Sequence, residues 1–505
     1  MSTDKIQQTA NDFVTYVRKM KQLHEAIQLI QWDMSVLIPK QGVAQRAEVV
    51  GMLSSELFMM QISDQMGEFL EVLAQPEALS QLDPITRNSV LDRKLEYDRD
   101  KSIPPDKFRE YVVLTQKAES AWAEAKQNND FEMFRPYLEQ IVALLGEFIE
   151  IWGYQDNKYD TLLNKYEPGL TVAKLDVIFG NLREKTIDLL QRIQQKEQVN
   201  RSFLHLSYPK DQQQKYSRYM LNQLGFDFSK GHFEESPHPF AVGLNPNDVR
   251  ITTFYFENDI TASLFGTIHE FGHAIYEQNV SHDLIGTFLC TGTSMGIHES
   301  QSRFWENMLG RSQEFWQHHF DGLVSHFPEQ LAGVSAEEFY KAVNYVDPSL
   351  IRVDADELTY NLHIMLRYEI EKDLINGKIQ VKDLPEIWAQ KMEEYLGVRP
   401  ESHATGVLQD IHWSGGAFGY FSSYSLGNIY AAQLENTMRK ELPDYQEQVA
   451  RGDVSQVLAW LNRKVYKHGK MLTPGEIMVQ ATGEEINSDY LVTYLEEKFK
   501  KIYGI

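Results

Sequence analysis

The chain has 505 residues, 42% hydrophobic and 24% charged, an ordinary balance for a water-soluble fold with enough length for a large core. Lys and Arg total 49 against 72 Asp and Glu, a formal net charge of -23, which argues against nucleic acid and anionic membranes as partners, since both demand clustered positive charge. Cys290 is the only cysteine, so no intrachain disulfide can form, and no apolar segment has signal-peptide or membrane-spanning length; the expectation is a cytoplasmic protein.

Most of the sequence reads as helix. Long helices are expected near 4–33, 42–76, 105–127 and 131–152, and Pro104 and Pro105 before Asp106 mark one start, where a missing N–H costs nothing. Leu175, Ile178, Leu182, Leu189 and Ile193 recur at the spacing of one buried helical stripe. Residues 232–256 break this habit: Pro237, Pro239, Gly243 and Pro246 punctuate the chain, and the β-branched and aromatic run from Val249 to Phe256 predicts a strand, with room for a second before it. Helical spacing then returns at Leu264, Phe265, Ile268, Phe271 and Ile275, again at Leu358, Leu362, Met365, Leu366 and Ile370, and near 425–440. No internal repeat or low-complexity linker divides the chain. The expected fold is mainly α, one large helical domain over 1–505 with a small β-sheet directly before the helix that carries the Leu264 to Ile275 stripe.

That helix carries His269-Glu270-Phe271-Gly272-His273, an H-E-x-x-H pattern. Residues four apart on a helix stand one above the other, so both imidazoles can reach one ion. Zinc accepts such nitrogens at about 2.0–2.1 Å, leaving one position open for water in a catalytic site. Glu270 projects beside the pair, where a carboxylate can take a proton from that water. The bland alternative is two capping or core histidines, since a five-letter pattern arises by chance in some chains.

Two imidazoles and a water leave a tetrahedron one ligand short. Gly296 to Trp305 also reads as helix and contains Glu299, whose helix is anchored by Ile297 and Phe304, so Glu299 is the preferred third ligand. His298 ranks second, and Glu277, four residues past His273, reads as a solvated helix residue.

These residues resemble the carboxypeptidase Taq family of metallocarboxypeptidases. The similarity rests on His269 to His273; His298-Glu299-Ser300-Gln301; His238-Pro239-Phe240; Asp248-Val249-Arg250-Ile251-Thr252; Ile351-Arg352-Val353-Asp354-Ala355-Asp356; and Gly406-Val407-Leu408-Gln409-Asp410-Ile411-His412-Trp413, all in the family's order. Tyr159-Asp160 and Tyr166-Glu167-Pro168-Gly169 are similar to a further family stretch. The resemblance implies a helical N-terminal part over about 1–230, catalytic motifs over 238–424 and a deep active-site groove. It implies release of single residues from peptide C-termini with broad preference, a homodimer, and one Zn2+ per chain for which Co2+ can substitute. Metal would lie on His269, His273 and Glu299, with Glu270 as general base.

Amide hydrolysis also needs a donor for the developing oxyanion, and His412, Tyr420 and Tyr424 are the candidates, against plain aromatic packing for the tyrosines. A free C-terminal carboxylate is best held by an arginine fork. Arg352 is preferred, held by Asp354, Asp356 and Glu357 in its own stretch; the competing reading is that it merely pairs with those acids. Arg250 is the alternative, on a strand that, if at a sheet edge, pairs with substrate backbone. His238 and Gln409 with Asp410 either line the groove or order other side chains. The rivals are a helical metallo-endo-oligopeptidase with the same zinc site, an aminopeptidase, and a non-catalytic binding protein with a structural metal; the last has no use for Glu270.

Overall fold

Helices run almost without interruption from Thr3 to Leu224 and again from Ile260 to Tyr503, with three short strands between them. The computed structural model describes residues 2–505. The first helix, Thr3–Val36, starts where the Ser2 hydroxyl accepts from the Lys5 N–H. The single stretch expected over 42–76 is instead three helices, Val43–Gln61, Asp64–Leu73 and Pro76–Leu79. Local chemistry explains the breaks: Ser63 accepts from the Met66 N–H and restarts the chain, and Pro76 sits at the opening of the last piece. The expected starts at 105 and 131 fall where the sequence put them, at Pro105–Asn128 and Phe131–Trp152. Most buried apolar side chains gather into two clusters, a small one around Ile6, Phe13, Leu70 and Val90 and a much larger one that includes Ile268 and Phe271. Among the described residues, no helix is long and apolar enough to cross a membrane.

The strands β1 (Gly231–Glu235), β2 (Ala241–Asn245) and β3 (Asp248–Thr253) form one sheet in the order β1-β3-β2. β3 runs parallel to β1 and antiparallel to β2. The strand expected to reach Phe256 thus stops at Thr253, and it lies in the centre of the sheet rather than at an edge. Val249 and Ile251 are buried in the large cluster. Thr252 Oγ1 accepts from Ser236 Oγ at 2.6 Å and from the Phe240 N–H at 3.0 Å, fastening the chain between β1 and β2 to the central strand.

The helix Ile260–Gln278 begins at Asp259, whose carboxylate accepts from the Thr261 N–H, and buries Leu264, Phe265, Ile268, Phe271 and Ile275. This motif helix is located by close approach at one point above all. A Cβ on Gly272 would stand 2.5 Å from the Gln301 carbonyl oxygen and 2.5 Å from the Ser302 Cα, so only glycine admits the backbone of the helix Met295–Arg303. That helix meets Ser422–Glu441 on another side, where a Cβ on Gly427 would stand 2.5 Å from Glu299 Cγ. Two glycines therefore set where Glu299 stands relative to His269 and His273.

Gly272→Ala should destabilise the protein by about 1–3 kcal/mol, the usual cost of overpacking. Gly146→Ala, on a helix with nothing within 4 Å of the new methyl, should be neutral or stabilising by up to about 1 kcal/mol. Urea denaturation followed by circular dichroism measures both, and equal stability of the two variants would contradict the close-approach account.

Candidate metal centre

The motif helix turns His269 and His273 to one side, and the helix Met295–Arg303 brings Glu299 to meet them. One ligand atom from each of the three lies within 4.8 Å of the others. Glu299 Oε2 is 3.4 Å from His273 Nε2 and 3.7 Å from His269 Nε2. Two ligands about 2.1 Å from a shared tetrahedral centre stand about 3.4 Å apart, so these separations suit a zinc-sized ion. The site is buried but not sealed: the imidazoles are 20% and 17% exposed.

The outward atom of each of the three donor side chains has a partner. His269 Nδ1 lies 2.9 Å from Glu306 Oε2. His273 Nδ1 lies 2.6 Å from His298 Nδ1, and His298 Nε2 lies 2.9 Å from Glu277 Oε1. With the His298 Nε2–H donating to Glu277, His298 Nδ1 accepts from the His273 Nδ1–H, and the His273 Nε2 lone pair faces the cluster. Arg303 Nε donates to Glu299 Oε1 at 2.7 Å while its Nη1 donates to Glu306 Oε2 at 3.2 Å. One guanidinium therefore orders a carboxylate of the cluster and the partner of one of its histidines.

The charges follow from these contacts. Burial opposes ionisation of Glu299, but Arg303 and then His269 hold it well below the usual carboxylate range; Glu306 is held down likewise by Arg303 and its contact with His269. Burial pushes His273 down to about 4, so it is a neutral imidazole at neutral pH. Burial also works against the charged form of His269, yet Glu299 and Glu306 leave its pKa raised. Glu270 is 6% exposed, burial pushes it up to about 7, and its Oε2 has no hydrogen-bond partner. Two imidazole nitrogens, one ionised carboxylate and an unpaired carboxyl beside them are a donor set and a base that a divalent ion fits.

His298 and Glu277 depart from their expected parts. Both ring nitrogens of His298 are engaged away from the cluster, so it supports His273. Glu277 is 4% exposed, not solvated, and also accepts from Thr291 Oγ1 at 2.8 Å and the Gly292 N–H at 3.0 Å. Sequence reading missed Glu306 and Arg303. The signal was present, since 299, 303 and 306 fall on one helical stripe. A π-helical turn, Phe304–Leu309, carries Glu306.

Arg352 is buried, but none of the acids in its own stretch holds it. Asp356 instead accepts from the Leu358 and Thr359 N–H groups, Glu357 pairs with Lys498, and Asp354 is exposed. The partner of Arg352 is Asp410, which accepts from its Nε at 3.1 Å and Nη2 at 2.7 Å; Nη1 donates to the Tyr360 hydroxyl at 3.1 Å. Asp410 is shared with Arg367, whose Nε donates to it at 2.8 Å. Gln409 accepts from the Arg352 N–H and from Arg367 Nη2, and so orders the arginines. Two guanidiniums on one carboxylate leave a net positive charge, and two of the five Arg352 N–H groups have no partner.

Arg250 lies on the central strand, so β3 has no free edge for substrate. Its Nε and Nη2 donate to Asp248 at 2.8 and 2.9 Å, and its guanidinium lies 4.8 Å from the Trp32 ring centre. His238 is exposed between β1 and β2, where its carbonyl accepts from Ser236 Oγ. His412 Nε2 lies 3.2 Å from the Tyr424 hydroxyl, and the Tyr420 ring centre is 5.6 Å from that of His412. Burial pushes His412 down to about 4 and raises both tyrosines, and the Glu299 carboxylate contributes to each phenol's shift, so all three stay neutral donors near the cluster.

The profile of the carboxypeptidase Taq (M32) metallopeptidase family matches residues 12–499. Carboxypeptidase 1 of Bacillus subtilis is 45% identical over 493 residues, covering 97% of this chain and 98% of that protein. Thermostable carboxypeptidase 1 of Thermus thermophilus is 38% identical over 94% of this chain and 95% of its own. The crystal structure of M32 carboxypeptidase from Deinococcus radiodurans superposes with a TM-score of 0.95 at 34% identity, covering 99% of this chain and 100% of that one. A match along nearly the whole chain, to relatives and to a solved fold alike, means that this protein belongs to the carboxypeptidase Taq (M32) metallopeptidase family and is a metallocarboxypeptidase.

Proposed function

We propose that the protein releases single residues from peptide C-termini with broad preference, using one Zn2+, replaceable by Co2+, on His269, His273 and Glu299. The observation that carries this reading is the convergence of three donor atoms beside the unpaired carboxylate oxygen of Glu270. When bound, the ion lowers the pKa of a coordinated water toward about 7 and polarises the scissile carbonyl. Glu270 takes the proton of the attacking water and hands it to the leaving amine; burial, which favours its neutral form, suits it to that exchange. His412, Tyr420 and Tyr424 supply neutral donors for the developing oxyanion. Arg352 binds the terminal carboxylate with its two free N–H groups, supported by the positive surplus that Arg367 creates. His238, exposed between β1 and β2 with no ring hydrogen bond within the protein, is left available to line the groove. Membership of a carboxypeptidase family weighs against the internal-cutting alternative.

Glu270→Gln should keep the metal and lower kcat by about 10²–10⁴-fold, the usual worth of a positioned base; full turnover with metal retained would remove Glu270 from that role. Arg352→Lys keeps the charge but loses the fork, and should lower kcat/KM by about 10–100-fold on free-carboxylate peptides while leaving amide-blocked peptides, already poor substrates, unchanged. Equal losses on both would remove Arg352 from carboxylate recognition. The raised pKa of His269 fixes a pH dependence. A protonated His269 must lose its proton to bind an ion, so affinity is complete above its pKa and falls about tenfold per unit as pH drops below it. Chelator competition across pH 5–8 measures this, and a flat profile would contradict it.

A further inference from the structure

The nine-residue helix Lys158–Tyr166 carries no residue of the proposed chemistry, yet it touches both halves of the site. At its start, the Tyr159 hydroxyl donates to Glu371 Oε2 at 2.6 Å. The same carboxylate accepts from the Trp413 Nε1–H at 2.7 Å and the Gly419 N–H at 2.8 Å. Those two residues bracket the loop that leads from His412 to Tyr420. Gly419 has φ of +92°, and a Cβ there would stand 2.7 Å from the Leu162 carbonyl oxygen, so the loop lies directly on the helix backbone. Farther along, the Tyr166 ring packs edge-on against Tyr420 with centroids 5.2 Å apart.

At the helix end, Glu167 accepts from Ser294 Oγ, the Gly296 N–H and the Tyr430 hydroxyl, each at 3.0 Å. Ser294 caps the helix that carries Glu299, and Gly296 lies in its first turn. A Cβ on Gly296 would stand 2.6 Å from Glu167 Oε2. Glu167 is 2% exposed and Glu371 fully buried, each accepting three neutral donors rather than a salt bridge. Burial pushes both up to about 7. A carboxylate without a cation in such a place is costly unless its acceptor geometry is needed.

We infer that the 158–166 helix is a buttress coupling the substrate loop to the metal-ligand helix, with Glu371 positioning His412 and Tyr420 and Glu167 positioning Glu299. It rests on the proposed function for the parts played by Glu299, His412 and Tyr420. The two carboxylates differ in one testable respect. The donors from Trp413 and Gly419 are N–H groups on opposite oxygens of Glu371, and neither can turn to accept. An amide there must set N–H against N–H. Glu167 Oε1 instead faces two hydroxyls, which can rotate and accept from an amide, while Oε2 keeps the Gly296 N–H.

The test uses the full-length protein loaded with Co2+, whose visible spectrum reports ligand geometry, with chelator competition for affinity and steady-state kinetics at saturating metal. Glu371→Gln should lower kcat by about tenfold or more with spectrum and affinity unchanged, and Tyr159→Phe should act in the same direction. Glu167→Leu should alter the spectrum and weaken affinity by about tenfold, and Glu167→Gln should restore both. Turnover unaffected in both Glu371→Gln and Tyr159→Phe, or a spectrum and affinity unaffected in Glu167→Leu, would overturn the inference. So would Glu167→Gln behaving like Glu167→Leu. Should Glu371→Gln fail to fold, Tyr159→Phe carries that arm, and Tyr430→Phe does so for Glu167. A parent protein that binds no Co2+ would sink the proposed function instead.

Discussion

A carboxylate held ionised inside the protein is the constraint on which the rest of the site depends. Glu299 is 7% exposed, and burial alone would neutralise it. Arg303 prevents that by bonding one of its oxygens, and two imidazoles face the other. Arg303 in turn needs Glu306 to balance its second side, and Glu306 holds His269. His273 is held through His298 by Glu277. Each charge calls for the next, and the sequence extends from the ligand atoms into three helices. Gly272 then fixes the spacing of the motif helix, and Gly427 that of the helix Ser422–Glu441, against the helix of Glu299, because a single methyl at either position meets backbone or Glu299 itself.

The arginine pair proposed to bind substrate uses the opposite arrangement. Around the cluster, acids and bases are matched; at Asp410, two arginines share one acid. The surplus of one positive charge arises in a protein whose net charge is -23. On the proposed function that surplus attracts the peptide carboxylate, while burial leaves His412 neutral and keeps the nearby phenols protonated against the opposing pull of Arg352. Arg303 and Arg352 also approach the two rings that line the space between them, Arg303 lying 4.6 Å from the Tyr360 ring centre and Arg352 5.0 Å from that of Tyr424.

The H-E-x-x-H spacing was legible because one helical turn is a local property. Glu299 was legible for a related reason, since its own helix shows apolar anchors on either side. The mainly α fold and the sheet before the motif helix were legible in periodicity and punctuation. Strand order was not: nothing in Val249 to Phe256 says that the chain from 231 to 235 pairs parallel on one side of it. The same limit misassigned the partner of Arg352, because nearby acids in sequence are not nearby in space, and Asp410 lies 58 residues on. Glu277 misled for a subtler reason. A glutamate one turn past a histidine reads as exposed unless one knows that a second helix covers that face. The Tyr159 and Glu167 stretches carried a family likeness without a role, since their partners, Glu371 and Gly296, come from distant parts of the chain.

The most direct test of the central claim is an anomalous-scattering map collected at the zinc edge from crystals of the zinc-loaded protein. The account predicts one strong peak per chain, about 2.0–2.2 Å from His269 Nε2, His273 Nε2 and Glu299 Oε2. A peak bound by His298 in place of Glu299, or zinc found only at other sites in a protein that still trims peptides, would contradict it.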